Sequence, residues 1–336
     1  MERGTALVLG ATGGIGGETA SALLRRGWKV RALARDPARA AAQWPAGTPR
    51  PEWVAGDAMD AASVIAAARG AALIVHAVNP PGYRDWETLV LPMLESTLRA
   101  AEATGARIVL PGNVYNYGPD AFPDIDESAP QHPVTRKGAI RVQMEQRLRE
   151  AAARGVRTLV VRAGDFFGPR AANNWFSQGL VKPGKPVSSI ADPARPGVGH
   201  QWAYLPDVAE TIAQLVERES ALAAFDTFHM EGHWDADGTR MQAAIRHASG
   251  RPDLPVRRFP WWLAMLASPF VPTLRELREM RYLWQKPVRM RNARLVALLG
   301  AEPHTPFDAA VGATLEGLGC LQPPLGPMAG GRRQAT

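Results

Sequence analysis

The stretch LVLGATGGIGGETA places Gly10, Gly13 and Gly16 at three-residue intervals directly after an apolar run. Glycines so spaced do chemistry through their backbone. The first permits a tight turn. The second lets main-chain N–H groups approach a diphosphate, and the third lets the following helix pack closely on the strand before it. Thr12, Gly14 and Ile15 fill the loop, and a phosphate seated there meets the electropositive end of a helix. The pattern predicts a dinucleotide site; a glycine-rich turn without a ligand is the alternative. No Lys-Ser or Lys-Thr closes the run, which disfavours a nucleoside-triphosphate loop.

The next apolar run, VRALARDP, ends in Ala34 and Arg35. An acidic residue here would bond the ribose 2′-hydroxyl of NAD, whereas an arginine pairs with a 2′-phosphate that a carboxylate would repel. Arg35 favours NADP(H). NAD(H) stays admissible because Asp36 is either that carboxylate, displaced, or a cap for a helix beginning at Pro37. Asp57, in AGDAMD, is placed either to accept from an adenine amine or to cap the segment after it.

A third cluster lies in TRKGAIRVQMEQRL, which reads as a helix. Lys137 and Arg141 are one turn apart on one stripe, and like charges so spaced cost an isolated helix roughly a few tenths of a kcal/mol. Either they face water, with Arg141 paired to Glu145, or they face something negative. Ile140, Met144 and Leu148 mark the buried side and leave the neighbouring stripe undecided.

These residues need a scaffold, and the first half of the chain supplies one. Strands are expected at Thr5–Leu9, Lys29–Ala34, Trp53–Gly56, Ala71–Ala77, Arg107–Leu110 and Arg157–Arg162. Helices are expected at Ile15–Arg26, Ala61–Arg69, within Asp85–Thr104, and over the TRKGAIRVQMEQRL segment. Short apolar strands alternating with amphipathic helices indicate an α/β fold, a Rossmann-type doubly wound parallel sheet covered on both faces. Past Arg162 the chain is richer in Gly, Pro and Asn. Leu205–Glu217 reads as a helix, FDTFHM as a further strand, and a final helix runs from Pro306 to Leu318. The expected division is 1–165 plus 203–230 for the nucleotide-binding domain and 166–202 plus 231–330 for a smaller, mostly helical substrate lobe, with 331–336 a flexible tail.

The motifs Gly10-Ala11-Thr12-Gly13-Gly14-Ile15-Gly16, Gly56-Asp57, VHAVN after the fourth strand and VYNYG after the fifth resemble the extended and atypical short-chain dehydrogenase/reductases. These include the NAD-dependent epimerase/dehydratase group and the NmrA-like proteins. The resemblance covers about the first 230 residues. It implies a Rossmann domain, a nicotinamide dinucleotide and a small-molecule cleft between the lobes, with Ala77 and Val78 among the cofactor contacts. The family's catalytic set is a Ser or Thr after the fifth strand and a Tyr-x-x-x-Lys on the next helix. Here those positions fall on Asn113, Lys137 and Arg141. Asn113 can donate to a carbonyl oxygen. Tyr115 and Tyr117 lie close enough in sequence to supply a hydroxyl. Arg141 can take a ribose contact but cannot trade protons, and Lys137 can do so only if desolvated. The resemblance thus implies an NAD(P)-dependent oxidoreductase or epimerase/dehydratase-like enzyme with a non-standard catalytic set. The alternative is a non-catalytic NADP(H) sensor of the NmrA-like kind. Nucleotide-sugar epimerases often carry an arginine shortly before a V-x-D-V-A-like run; GHQWAYLPDVAE has His200 there, a poorer phosphate clamp. Asp165, in RAGDFFGP, falls where the family often has an Asn lining the cleft; otherwise it is a loop carboxylate paired to an arginine.

The totals limit the other readings. The chain has 336 residues, 46% hydrophobic and 21% charged, which is a globular composition. The net charge of +7 suggests affinity for anions. The basic residues are scattered, and no nucleic-acid-binding signature is present. One cysteine, Cys320, excludes an internal disulfide and a cysteine-built metal site. His229 and His233 are four apart without a third ligand, so no metal is expected. No apolar run approaches the roughly 18 residues of a membrane span, and no leader pattern precedes the first strand. The expectation is a cytoplasmic protein with a small-molecule substrate, no nucleic acid, no integral membrane segment, and a homodimer allowed. FPWWLAMLASPF reads as lobe core, with a membrane-surface anchor or a substrate wall as alternatives. RELREMRY reads as a solvated face.

Overall fold

The computed structural model describes residues 3–80, 85–170, 174–268 and 278–322. In chain order its strands begin with β1 (Thr5–Leu9), β2 (Lys29–Ala34), β3 (Glu52–Ala55), β4 (Ala71–His76), β5 (Arg107–Asn113), β6 (Asp124–Ile125) and β7 (Thr158–Ala163). They continue with β8 (Asp165–Phe167), β9 (Ile190–Asp192), β10 (His200–Tyr204), β11 (Phe225–His229), β12 (His233–Asp235), β13 (Val256–Arg258) and β14 (Arg289–Met290). Seven of them form one sheet in the order β3-β2-β1-β4-β5-β7-β11. Every pairing in it is parallel. The chain reverses its direction of winding between β1 and β4, and a doubly wound sheet binds ligands beyond the strand ends at that point.

The two-residue period of the strands builds the two faces. Ala6, Val8, Leu73, Val75 and Val109 turn one way, onto helices α1 (Gly14–Arg25) and α6 (Leu205–Val216). Leu7, Leu9, Ile74, Ile108 and Leu110 turn the other, onto α3 (Ala61–Ala68), α4 (Trp86–Thr104) and α5 (Arg136–Ala153). α2 (Pro37–Gln43) follows β2. A third cluster gathers Tyr117, Phe167, Phe176, Trp202, Met241, Trp284, Phe307 and Leu315. Its elements include α7 (Thr239–Ala248), helix Phe307–Gly317 and the three-stranded sheet β12-β10-β8.

β5 runs three residues beyond the expected Leu110, so that Asn113 ends a strand. β7 continues to pair with it as far as Asn113, whereas β4 stops at Val109. This end of β5 is therefore an edge on one side, which is where a sheet tolerates Pro111. The apolar run also departs from expectation. Trp261–Ala267 forms α8, and Trp262, Leu263, Met265 and Leu266 are exposed instead of forming core. In RELREMRY, Met280 is buried and Glu279 pairs with Arg136, so this part is not a solvated face. Residues 275–277, Phe270 and the tail 331–336 lie outside the described residues.

Candidate functional site

A cleft of about 830 Å³ opens beyond the ends of β1, β2, β4 and β5. Its floor is the glycine turn. Gly10 adopts φ +87°, and a Cβ there would stand 2.5 Å from the Ala77 carbonyl oxygen. A Cβ at Gly16 would stand 2.2 Å from the Gly10 oxygen. Both positions exclude a side chain for reasons internal to the fold. Gly13 differs: its Cβ would meet only the Gly10 oxygen, at 3.3 Å. Gly13 is also the N-cap of α1, makes no side-chain capping bond, and is followed by a first turn without an acidic residue. The helix's leading N–H groups and its dipole are thus left for an anion. Gly10, Thr12, Gly13, Gly14 and Ile15 line the cleft; Gly16 does not, and serves helix packing.

At one end the cleft is lined by Arg35, Asp36 and Arg39 and by Gly56 to Met59. The Asp36 carboxylate accepts from the Arg39 N–H at 3.0 Å and caps α2, the second of the two roles its position before Pro37 allows. No carboxylate lies within ion-pair distance of the Arg35 or Arg39 guanidinium among the described residues. Arg39 was not singled out in the sequence, although its spacing from Arg35 would carry it onto the first turn of a helix after Pro37. Asp57 lines the cleft while its Oδ1 accepts from the Met59 N–H at 3.0 Å. Ala77 and Val78 contribute the wall after β4, with Asn79 and Pro80.

At the other end stand Asn113, Tyr115, Arg141, Gly164, Asp165, Phe166, Trp175 and Leu205. Asn113 Oδ1 accepts from the Tyr115 N–H at 3.0 Å, which leaves its amide NH₂ to donate. Tyr117, expected near the chemistry, is fully buried elsewhere.

The two cations of α5 share a partner: the ring of Trp86, the first residue of α4. The Lys137 ammonium lies 5.8 Å from the ring centroid and the Arg141 guanidinium 5.3 Å. A cation over an indole face is attracted by the ring's quadrupole, which offsets the mutual repulsion of the pair. Arg141 also donates to the Pro111 carbonyl at 3.3 Å and reaches Asn79 Oδ1 at 3.5 Å, so it ties β5 to the segment after β4. Trp86 and Arg141 line the cleft; Lys137, 5% exposed, does not.

Glu145 is not Arg141's partner. It takes Arg162 of β7, whose Nε donates to Glu145 Oε1 at 2.9 Å and whose Nη2 donates to Oε2. Arg162 is 1% exposed, and a guanidinium so deep must have a carboxylate. Its Nη1 donates to the Tyr117 hydroxyl at 2.7 Å and lies 2.7 Å from His229 Nε2. His229 Nδ1 faces the Ile125 carbonyl at 3.3 Å, so the ring carries its proton there and Nε2 accepts. Burial first, and then Arg162, holds the His229 pKa down to about 3. Burial first, and then Arg141, does the same to His76, also to about 3. The sequence signal for this network was a charged residue inside the apolar strand LVVRAG.

Asp165 pairs with a histidine, not an arginine. Its Oδ2 lies 2.9 Å from His200 Nε2. The His200 ring stacks on Trp284 with centroids 3.9 Å apart and planes 5° apart. Arg170 lines the cleft beside the glycine turn, paired with Glu18 at 3.5 Å and lying 4.7 Å from the Trp44 ring centroid. His229 and His233 are not brought together: His233 packs against His304 and Phe307. Among the described residues no three His, Cys, Asp or Glu side chains are grouped to hold a metal, and no helix is long and apolar enough to cross a membrane.

Residues 10–168 match the model of the NAD(P)H-binding family. No curated protein matches the chain in sequence. Among solved structures it is similar to a UDP-glucose-4-epimerase from Stenotrophomonas maltophila with bound NAD and formylated UDP-arabinopyranose. The two share 15% identity over 94% of this chain and 98% of that one, with a TM-score of 0.73. It is also similar to DesIV, a dTDP-glucose 4,6-dehydratase from Streptomyces venezuelae with NAD bound, at 17% identity over 93% and 96% of the two chains and a TM-score of 0.69. A UDP-N-acetylglucosamine 4-epimerase from Bacillus cereus follows at 16% identity, 92% and 94% coverage and a TM-score of 0.67. At such identities the likeness is one of fold. With a glycine turn on a seven-stranded parallel sheet and a match to the NAD(P)H-binding model over residues 10–168, the chain has a Rossmann-type fold similar to that of these epimerases and dehydratases.

Proposed function

We propose that the protein is an NADP(H)-dependent oxidoreductase acting on a carbonyl or alcohol carbon of a small molecule. The observation that carries the cofactor assignment is the pair Arg35 and Arg39, two cleft-lining guanidinium groups without carboxylate partners among the described residues, beside an Asp36 that is turned into a helix cap. A 2′-phosphate meets charge-assisted donors there. Two of the three solved structures described above hold NAD, and two of the three are epimerases and one a dehydratase by name; this supports redox chemistry at an oxygen-bearing carbon.

The residues fit the cofactor from end to end. Gly10, Thr12, Gly13, Gly14 and Ile15 would hold the diphosphate, Asp57 the adenine, and Ala77 and Val78 the middle of the wall. A nicotinamide dinucleotide bound in this cleft supplies hydride transfer to or from carbon. The amide NH₂ of Asn113 donates to the reacting oxygen, and the Tyr115 hydroxyl on the same wall exchanges its proton. Arg141 holds the end of β5 in place through Pro111. Lys137 acts through Trp86, which it packs against.

One observation favours a second reading, a non-catalytic NADP(H) sensor of the NmrA-like kind. Lys137, which stands at the family's Tyr position, is outside the cleft lining. The two readings separate in one experiment. The protein is incubated with NADPH and a panel of aldehydes, ketones and sugar nucleotides, and nicotinamide absorbance is followed. Turnover that falls at least tenfold in Tyr115→Phe supports the enzyme. Tight NADPH binding with no turnover on any class supports the sensor.

A further inference from the structure

We propose that α8 is a docking surface for an anionic lipid bilayer. The helix is held to the body by one face. Trp261 Nε1 donates to the Pro193 carbonyl at 2.8 Å, its ring meets Phe259 and Trp175, and Ala264 is 4% exposed. The opposite face presents Trp262 at 62%, Leu263 at 48%, Met265 at 42% and Leu266 at 68% exposure. Four large apolar side chains on two turns form a patch of the kind that marks an interaction surface.

The rim of the patch identifies its occupant. From Phe259 to Ser268 the chain carries no charged residue, and Arg257 and Arg258 immediately precede it. Arg281 lies 5.6 Å from the Trp261 ring centroid and donates to Met265 Sδ at 3.5 Å. Arg278 donates to Ser268 Oγ at 3.2 Å. Two carboxylates near this rim, among the described residues, are already engaged: Asp192 with Arg258, and Glu279 with Arg136. Among the described residues, Arg257, Arg278 and Arg281 have no carboxylate within ion-pair distance. An apolar face containing tryptophan, ringed by unneutralised guanidinium groups, suits the boundary between acyl chains and anionic headgroups. The net charge of +7 adds a long-range attraction in the same sense. A water-soluble protein partner would have to offer an acidic apolar groove, and a second copy of this chain would bring the same arginines against themselves.

The test uses the full chain and sedimentation with vesicles. The probes are phosphatidylcholine alone and phosphatidylcholine with 30% phosphatidylglycerol, composition values on the order of those that give a substantial surface potential. The wild type is expected to partition at least tenfold more strongly onto the anionic vesicles, and to release as salt is raised from about 0.1 to 0.5 M. Trp262→Ser/Leu266→Ser should lose at least tenfold of that partitioning. Arg257→Gln/Arg281→Gln should lose it on anionic vesicles only. Because Trp262, Leu266 and Arg257 are exposed and Arg281 is half-buried only at the edge of α8, each variant should keep a melting temperature close to the wild type's and the wild-type NADPH affinity, which separates this proposal from the cofactor assignment. No sedimentation with anionic vesicles overturns it. So does equal sedimentation of Trp262→Ser/Leu266→Ser. A dimer by light scattering that the same double substitution disperses, without vesicle binding, overturns it in favour of self-association.

Discussion

Acid should unfold this protein through three histidines. His76, His229 and His233 are each at most 2% exposed, and burial holds the pKa of each down to about 3. In the unfolded chain each titrates near 6.5. The contribution to stability is therefore fully present above pH 6.5 and is lost progressively as pH falls from 6.5 towards 3, because the unfolded state takes up protons that the folded state refuses. At pH 5.5, one unit below the unfolded value, each group costs about 1.4 kcal/mol, and the three together about 4 kcal/mol. That is a large fraction of the roughly 5–15 kcal/mol that separates a native domain from its unfolded state. Glu18, Asp207 and Glu302, whose pKa values burial raises, act in the opposite sense, so the histidine effect is best read by difference. Neither ring nitrogen of His233 has a hydrogen-bond partner among the described residues. His233→Leu removes the titration without stranding a donor. Urea denaturation at pH 7.5 and 5.5 measures both chains. The wild type should lose several kcal/mol on acidification, and His233→Leu should lose about 1.4 kcal/mol less. An identical pH dependence in the two chains would refute the reasoning.

Three further outcomes follow from the geometry. Gly16→Ala should destabilise the fold by about 1–3 kcal/mol in thermal or urea melts, because its Cβ meets the Gly10 backbone. Gly13→Ala, whose Cβ meets only the Gly10 oxygen and that closely, at 3.3 Å, should destabilise the fold less than Gly16→Ala yet lose at least tenfold of its dinucleotide affinity by titration calorimetry. Glu145→Ala should cost about 3–5 kcal/mol in denaturant unfolding, since it leaves the Arg162 guanidinium buried without its counter-charge.

The parallel sheet and the glycine turn were legible because their signals are local. Apolar runs of strand length alternate with helices over the first half, and the register that pairs Leu7 with Arg31 and Ile74 follows from one face of each strand being core. The site was legible where a residue's place on a strand end decides its surroundings, as for Arg35 and Asp57. It was not legible where partners come from distant segments. Glu145 lies one turn from Arg141, so a helix rule paired them, but Arg162, 17 residues on, has the stronger need for a carboxylate. Asp165 and His200 are 35 residues apart and meet only because β8 and β10 are neighbours. The apolar run at 259–270 read as core because composition does not say which face of a short helix has a neighbour.

Calorimetric titration of the purified chain tests the proposed NADP(H) assignment most directly. NADPH should bind to the wild type at least tenfold more tightly than NADH. In Arg35→Ala/Arg39→Ala that preference should vanish through loss of NADPH affinity alone, with NADH changed less than threefold. Equal loss for both nucleotides, or no heat with either, would contradict it.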